Sequence, residues 1–196
     1  MANPAYCPRC GTTLTTKLDG GRDRPACPSD GCGFTHYGDF SIGCGGVVLR
    51  EGKALLIQRG IPPFAGAWQI PGGYAEHDEP ITLAVEREVL EEAGIEARVR
   101  DVIAFRHSQG GSIGGPTANI YVIFRLDLVG GEPRAEGEET RAAGFFSLDE
   151  MAAMEQVQGL SRWAIEKALA TPLDAGLTVS LDGPGAGRPG WHLFGI

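Results

Sequence analysis

The chain has 196 residues, 42% of them apolar and 21% charged, and a formal net charge of −8. That is enough for one well-buried domain with a small appendage, at ordinary globular composition. The acidic balance argues against a protein that coats nucleic acid by electrostatics, but not against an anionic substrate whose charge divalent metals offset. No apolar run is long enough to span a bilayer, and the opening "MANPAYCPRC" has no signal-peptide pattern, so the expectation is a cytoplasmic protein with no membrane partner.

Four of the five cysteines come first, as Cys7-Pro-Arg-Cys10-Gly and Cys27-Pro-Ser-Asp-Gly-Cys32-Gly. Tight turns of this spacing present two sulfurs from each side, the arrangement a tetrahedral zinc ion takes. A glycine after each second cysteine allows the backbone to turn with positive φ. A segment of this size buries too little surface to fold alone, so a structural Zn²⁺ on Cys7, Cys10, Cys27 and Cys32 would stabilise it. The alternative is two disulfides or unrelated thiols, which a reducing compartment disfavours. His36 reads as structural and Cys44, in an apolar run, as a small buried hydrophobe. The expected organisation is a zinc ribbon over 1–38, a main domain over 39–171 and a tail over 172–196.

Residues 41–50 and 53–59 read as two strands joined at Glu51-Gly52, a hairpin signal. A Pro/Gly-rich loop follows, then a short strand at Trp68-Gln69-Ile70 and the pair Gly72-Gly73. From Glu79 to Ala93 the pattern is helical, with Pro80 in the first turn, Ile81, Leu83, Ala84, Val85, Val89 and Leu90 as apolar positions, and Gly94 as terminator. Next come a strand over about 96–107, a Gly-rich loop over 108–116, a long strand over 117–128 and an acidic loop. A strand at "AAGFFSL", a helix capped by Asp149 and a closing amphipathic helix, "LSRWAIEKALA", complete the main domain. Residues 172–196 form either a docked strand or a loose arm. The order predicts an α/β fold, a mixed sheet with helices on both faces.

On the central helix, Glu88, Glu91 and Glu92 stand at i, i+3 and i+4 and share a face. Three carboxylates on one face repel unless a cation sits among them, and hard divalent ions take such oxygen ligands. Glu86, roughly 160° around the helix from Glu88, is expected to face solvent. Arg87 offers a cationic fork with Glu79 as its partner, and Gly73 can bring backbone close to a ligand. The competing reading is a solvated acidic face.

Gly73, five residues, Glu79, seven residues, Arg87-Glu88-Val89, one residue, Glu91-Glu92, one residue and Gly94-Ile95 resemble the Nudix box at every specified position. The resemblance covers roughly residues 40–170 and implies a Nudix α/β/α sandwich and hydrolysis of the pyrophosphate bond of a nucleoside diphosphate linked to X. It implies Mg²⁺ or Mn²⁺ held by Glu88, Glu91 and Glu92 with help from the Gly73 region, and Arg87 and Glu79 as supports. For the general base, the resemblance leaves a box glutamate or a later acid; Glu139 is the candidate, with Glu136 and Glu138 as rivals. Ala142 stands where relatives often carry a second acid.

A ribbon before such a domain resembles the NADH pyrophosphatase group, with its RNA-decapping members, and the plant FAD diphosphatases. After Ser108-Gln109, however, this chain continues "GGSIGGP" where the NADH-specific group has a tryptophan and prolines. Pro116 lies 22 residues past Gly94, later than the proline that many ADP-ribose pyrophosphatases carry some fifteen residues past the box. Candidate substrates are FAD, NAD(H), ADP-ribose or similar small nucleotides. Phe64, Trp68, Phe105 and Tyr121 are the aromatics that could stack a base or flavin. The resemblance also implies a homodimer. Two rival readings stand beside hydrolysis: a non-catalytic nucleotide sensor whose ribbon contacts a partner, and an RNA-decapping enzyme.

Overall fold

The computed structural model describes residues 4–109, 118–173, 175–179 and 194–195. The chain divides into two compact units, one of Met1–Ser41 with Ser108–Asn119 and one of Ile42–His107 with Ile120–Ile196. Among the described residues, no helix is long and apolar enough to cross a membrane.

In the first unit, β1 (Thr15–Asp19) and β2 (Arg22–Ala26) form an antiparallel hairpin that the sequence pattern did not signal. Its turn is Gly20-Gly21, both at positive φ. β1 is largely exposed and β2 is mostly polar, Arg-Asp-Arg-Pro-Ala, so neither has the apolar alternation by which a strand is recognised.

The rest is built on a seven-stranded mixed sheet. Its strands are β3 (Phe40–Arg50), β4 (Lys53–Arg59), β5 (Trp68–Gln69), β6 (Gly72–Tyr74), β7 (Glu96–Gln109), β8 (Ala118–Gly130) and β9 (Thr140–Phe146). The order is β5-β4-β3-β8-β7, with β6 paired to β3 and β9 to β4. The β3–β4 turn is Glu51-Gly52 as expected, at φ 52° and 76°, the two successive positive values that match hairpin twist. β6 lies in what the sequence read as loop; it pairs with the glycine run of β3, Gly43 opposite Tyr74 and Gly45 opposite Gly72.

Helices cover both faces, giving the expected α/β/α sandwich. Cys44, Val48, Leu55, Ile57 and Phe124 pack towards α1 (Ile81–Ala93), whereas Val47, Ala54, Leu56 and Ile123 pack towards α2 (Leu148–Ala153) and α3 (Gly159–Ala170). The alternation along β3 and β4 shows strands buried on both sides, which is why they read as continuous apolar runs.

Several expectations need correction. Helix α1 begins at Ile81, with Pro80 as its extended N-cap at ψ 136°, and Gly94 terminates it at φ 68°. Leu83 and Leu90 are about half exposed, while Thr82, Glu92 and Ala93 are buried, because the helix rests on Val85 and Val89. Ser147, not Asp149, caps α2: its hydroxyl accepts from the Glu150 amide while the Glu150 carboxylate accepts from the Ser147 amide. Glu86 does not face solvent; its carboxylate accepts from the Val99 amide and Arg98, anchoring β7 to the helix. The strand expected over 96–107 runs on to Gln109, and most of the expected 108–116 loop, with Pro116, lies outside the described residues.

The described parts of the tail are docked. Leu177 exchanges backbone hydrogen bonds with Val102, and β10 (Thr178–Val179) pairs with β11 (Phe194–Gly195), whose Phe194 packs against Phe124. The buried Arg125 holds the start of this segment, binding Asp101 and the carbonyls of Ala168, Thr171 and Pro172.

Candidate active site and cysteine cluster

Cys7, Cys10, Cys27 and Cys32 bring their four sulfurs within 4.8 Å of one another. The separations are 3.6 Å for Cys7–Cys32, 3.5 Å for Cys10–Cys27 and 3.7 Å for Cys10–Cys32. These are too long for S–S bonds, and all five cysteines are free. Sulfurs about 2.3 Å from a tetrahedral zinc ion stand roughly 3.8 Å apart, so the cluster has the dimensions of a zinc site. Gly11 and Gly33, after the second cysteine of each knuckle, adopt φ 73° and 65°.

The carboxylates of α1 are arranged differently. Glu92 is only 9% exposed and accepts from the Gly72 amide at 2.7 Å. Burial, reinforced by the Glu88 charge and opposed by the Gly72 amide, pushes its carboxyl up to about 8. Glu88 lies against Gly73, where a Cβ would stand 2.5 Å from its Oε1, so a side chain there would displace the Glu88 carboxylate. Its pKa is likewise raised, chiefly by burial. Glu91 is mainly exposed, with its side chain at 58%, and pairs with Arg87 at 3.1 Å.

Arg87 donates to Glu79 at 2.8 and 3.3 Å and to Glu88 at 3.1 Å. Its hydrogen bonds, with the Glu76 amide next, hold the Glu79 carboxyl below the usual range, and the Glu76 bond ties the loop before α1 to the helix. Among the described residues only the cysteines gather three or more ligand atoms within 4.8 Å, so the three glutamates share a face without converging on a point.

The later acids are also sorted by the structure. The Glu136 carboxylate accepts from the Glu138 and Glu139 amides and is used in shaping its own loop. Glu139 is placed by its carbonyl, which accepts from Gly60 at 2.6 Å, and its charge acts on both Glu88 and Glu92.

Beside this face, with Gly72 in its wall, lies a cavity of about 320 Å³. Phe64 and Tyr121 line it, as do Arg59, Tyr74, Arg106 and Gln158. Among the described residues no acid is in its lining, which contains two arginines, in a chain of net charge −8. Trp68 is elsewhere, edge-on to Phe146 at 5.1 Å in the α3-side core. Phe105 lines a second, apolar cavity of about 420 Å³ with Trp163 and Leu177. Arg59 and Arg106 escaped the sequence reading because a lone arginine near the end of a strand carries no motif. The one available signal for Arg59 was its place just before the Pro/Gly-rich loop, which it holds by donating to the Pro63 carbonyl.

A family model, the NUDIX domain, matches residues 40–165, and the chain belongs to that family. It is 33% identical over 111 residues to the ADP-ribose pyrophosphatase of Methanocaldococcus jannaschii, covering 57% of this chain and 64% of that protein. It is 32% identical over 170 residues to the NAD-capped RNA hydrolase NudC of Stutzerimonas stutzeri, covering 86% of this chain and 57% of that one. The matches thus span somewhat under two thirds of either relative's length. A NUDIX hydrolase crystal structure from Nitrosomonas europaea shares the fold with TM-score 0.68 at 24% identity, covering 85% of this chain and 93% of that one. The MutT NUDIX hydrolase structure from Burkholderia pseudomallei has TM-score 0.57 at 30% identity, covering 65% and 97%.

Proposed function

We propose that the protein hydrolyses the pyrophosphate bond of a nucleoside diphosphate linked to X, with the help of divalent metal, giving a nucleoside monophosphate and a second phosphate ester. The observation that carries this is the junction at Gly72 between a carboxylate-bearing helix face and a cavity lined by two arginines. A diphosphate requires cations at the bond to be cut and room for the group beyond it.

Glu88 and Glu92, with Glu91 and the Gly73 backbone, would hold Mg²⁺ or Mn²⁺; the fit rests on hard oxygen donors, two of them largely buried, beside a glycine that keeps the approach open. When bound, such ions neutralise the diphosphate and lower the pKa of water. Arg87 and Glu79 orient Glu88 and Glu91. Glu139 is the base that takes the proton from water, since Glu136 is already engaged by two amides. Arg59 and Arg106 bind the substrate's charge, and Phe64 packs against its base or X group.

The names of the two relatives support ADP-ribosyl substrates of the ADP-ribose or NAD type, with FAD retained from the ribbon-plus-Nudix architecture. The cysteine cluster holds structural zinc in this reading. The test is a panel of ADP-ribose, NADH, FAD, nucleotide sugars and NAD-capped RNA with Mg²⁺ or Mn²⁺, read by phosphate-ester products. Glu92→Gln is expected to lower kcat by about 10³-fold with the fold retained. Full activity in that variant overturns the assignment. Nucleotide binding by a wild type that turns over none of the panel would favour the sensor reading instead, and cleavage confined to capped RNA would favour decapping.

A further inference from the structure

Tyr121 lies in a socket that three glycines leave open for it. A Cβ on Gly43 would stand 2.6 Å from its Cδ2, and one on Gly45 would stand 2.6 Å from its hydroxyl oxygen and 2.9 Å from Cε1. A Cβ on Gly72 would be 2.7 Å from the same oxygen. Real Cβ contacts are not this short, so the ring and these glycines require one another. Gly43 and Gly45 are two apart on β3 and share the face of the sheet over which the ring lies. The Arg106 guanidinium stands 5.4 Å from the ring centroid.

With β3 backbone against the ring and Arg106 beside it, the Tyr121 ring is held in place by the protein itself. What it offers the cavity is its hydroxyl. Among the described residues no hydrogen bond to that hydroxyl is found, although Tyr121 lines the cavity. Burial first, and the nearby Cys44, Glu92 and Glu88 next, push its titration upward, so it stays a neutral donor. Its oxygen lies next to Gly72, the residue whose amide Glu92 binds at 2.7 Å. A neutral O–H at the border of an acidic face can donate to an anionic oxygen.

We propose that the Tyr121 hydroxyl donates a hydrogen bond to a phosphate oxygen of the substrate where the diphosphate passes from the carboxylate face into the cavity. The inference rests on the pyrophosphate-ester reading given above and adds a specificity residue to it. Gly43, Gly45 and Gly72 serve the same end indirectly, by leaving the space that the ring fills.

Tyr121→Phe removes the hydroxyl and keeps the ring, so the socket stays filled. A hydrogen bond to a charged phosphate predicts a fall in kcat/KM of about 10- to 100-fold. The thermal midpoint and Mn²⁺ binding by paramagnetic resonance are expected to stay at wild-type values, a separation that a structural role would not give. Wild-type kcat/KM in Tyr121→Phe overturns the proposal, because a stacking or packing role survives in phenylalanine. If the wild type turns over no pyrophosphate ester, the hydrolase reading fails by itself, and AMP binding with Mn²⁺ by calorimetry then decides about Tyr121. Weaker AMP binding by Tyr121→Phe supports the hydrogen bond; equal binding, or none by the wild type, overturns it.

Discussion

The four cysteines and the three box glutamates are both sets of side chains of a type that binds metals, and the fold treats them in opposite ways. The four sulfurs converge, all within 4.8 Å of one another and three pairs of them 3.5 to 3.7 Å apart. The glutamates are divided among partners: Glu92 with the Gly72 amide, Glu88 against Gly73, and Glu91 with Arg87. A closed tetrahedron suits a site whose purpose is to hold a small unit together. An open face with ligands held apart suits ions that keep waters and take substrate oxygens. The two sets thus differ in convergence as well as in ligand type.

The comparison breaks most visibly if the cysteine cluster is not structural. We expect metal analysis of the purified protein to find one zinc per chain, and removal of it to unfold the β1–β2 hairpin. Zinc in such sites contributes about 10 kcal/mol or more, so backbone amides over Thr15–Ala26 should lose their protection from exchange. Protection that survives full removal of zinc would show that the cluster only resembles a metal site.

A second test concerns the support of the open site. Arg87→Lys keeps the charge but loses the fork that binds Glu79 at 2.8 and 3.3 Å while reaching Glu88 and Glu91. The expected result is a drop of about 10- to 100-fold in kcat with a raised Mg²⁺ requirement, measured from initial rates across metal concentrations. Wild-type rates in this variant would mean that the glutamates need no orientation.

Burial of Glu92 gives a third, with its sign set by linkage. The folded protein retains the carboxyl proton up to about 8, whereas the group's ordinary value is 4.5. Below pH 4.5 both states are protonated and the full stability is present; it falls as pH rises, and the loss is complete above about 8. In zinc-loaded, magnesium-free protein the thermal midpoint should therefore fall across this window by about 4–8 °C, and less in Glu92→Gln. Equal slopes for the two proteins would remove Glu92 as the cause. The smallest expected effect separates two aromatics: Phe64→Ala should raise KM about 5-fold at unchanged thermal midpoint, while Trp68→Leu should lower the midpoint and leave KM alone.

Much of the site was legible because the chemistry is local. Glu88, Glu91 and Glu92 fall on one helix turn, Arg87 and Glu79 flank them, and Gly94 must end that helix, all within one segment. The Glu51-Gly52 hairpin and the paired cysteine knuckles are local in the same sense. Legibility failed where a side chain's partner is distant in sequence. Glu86 counted as a solvent acid until Val99 and Arg98 supplied its partners, and Trp68 as a stacking platform until Phe146 packed against it. The strands β1 and β2 have no hydrophobic period to read.

By itself, the sequence determined the ligand types, their spacing along one helix and two knuckles, and the α/β pattern, because helical period and turn geometry act over a few residues. Tertiary structure alone decided which acids are buried, that Arg59 and Arg106 meet in one cavity, and that three glycines from two strands make room for Tyr121. Desolvation and steric exclusion are properties of the packed neighbourhood, and they exist only once strands far apart in the chain lie side by side.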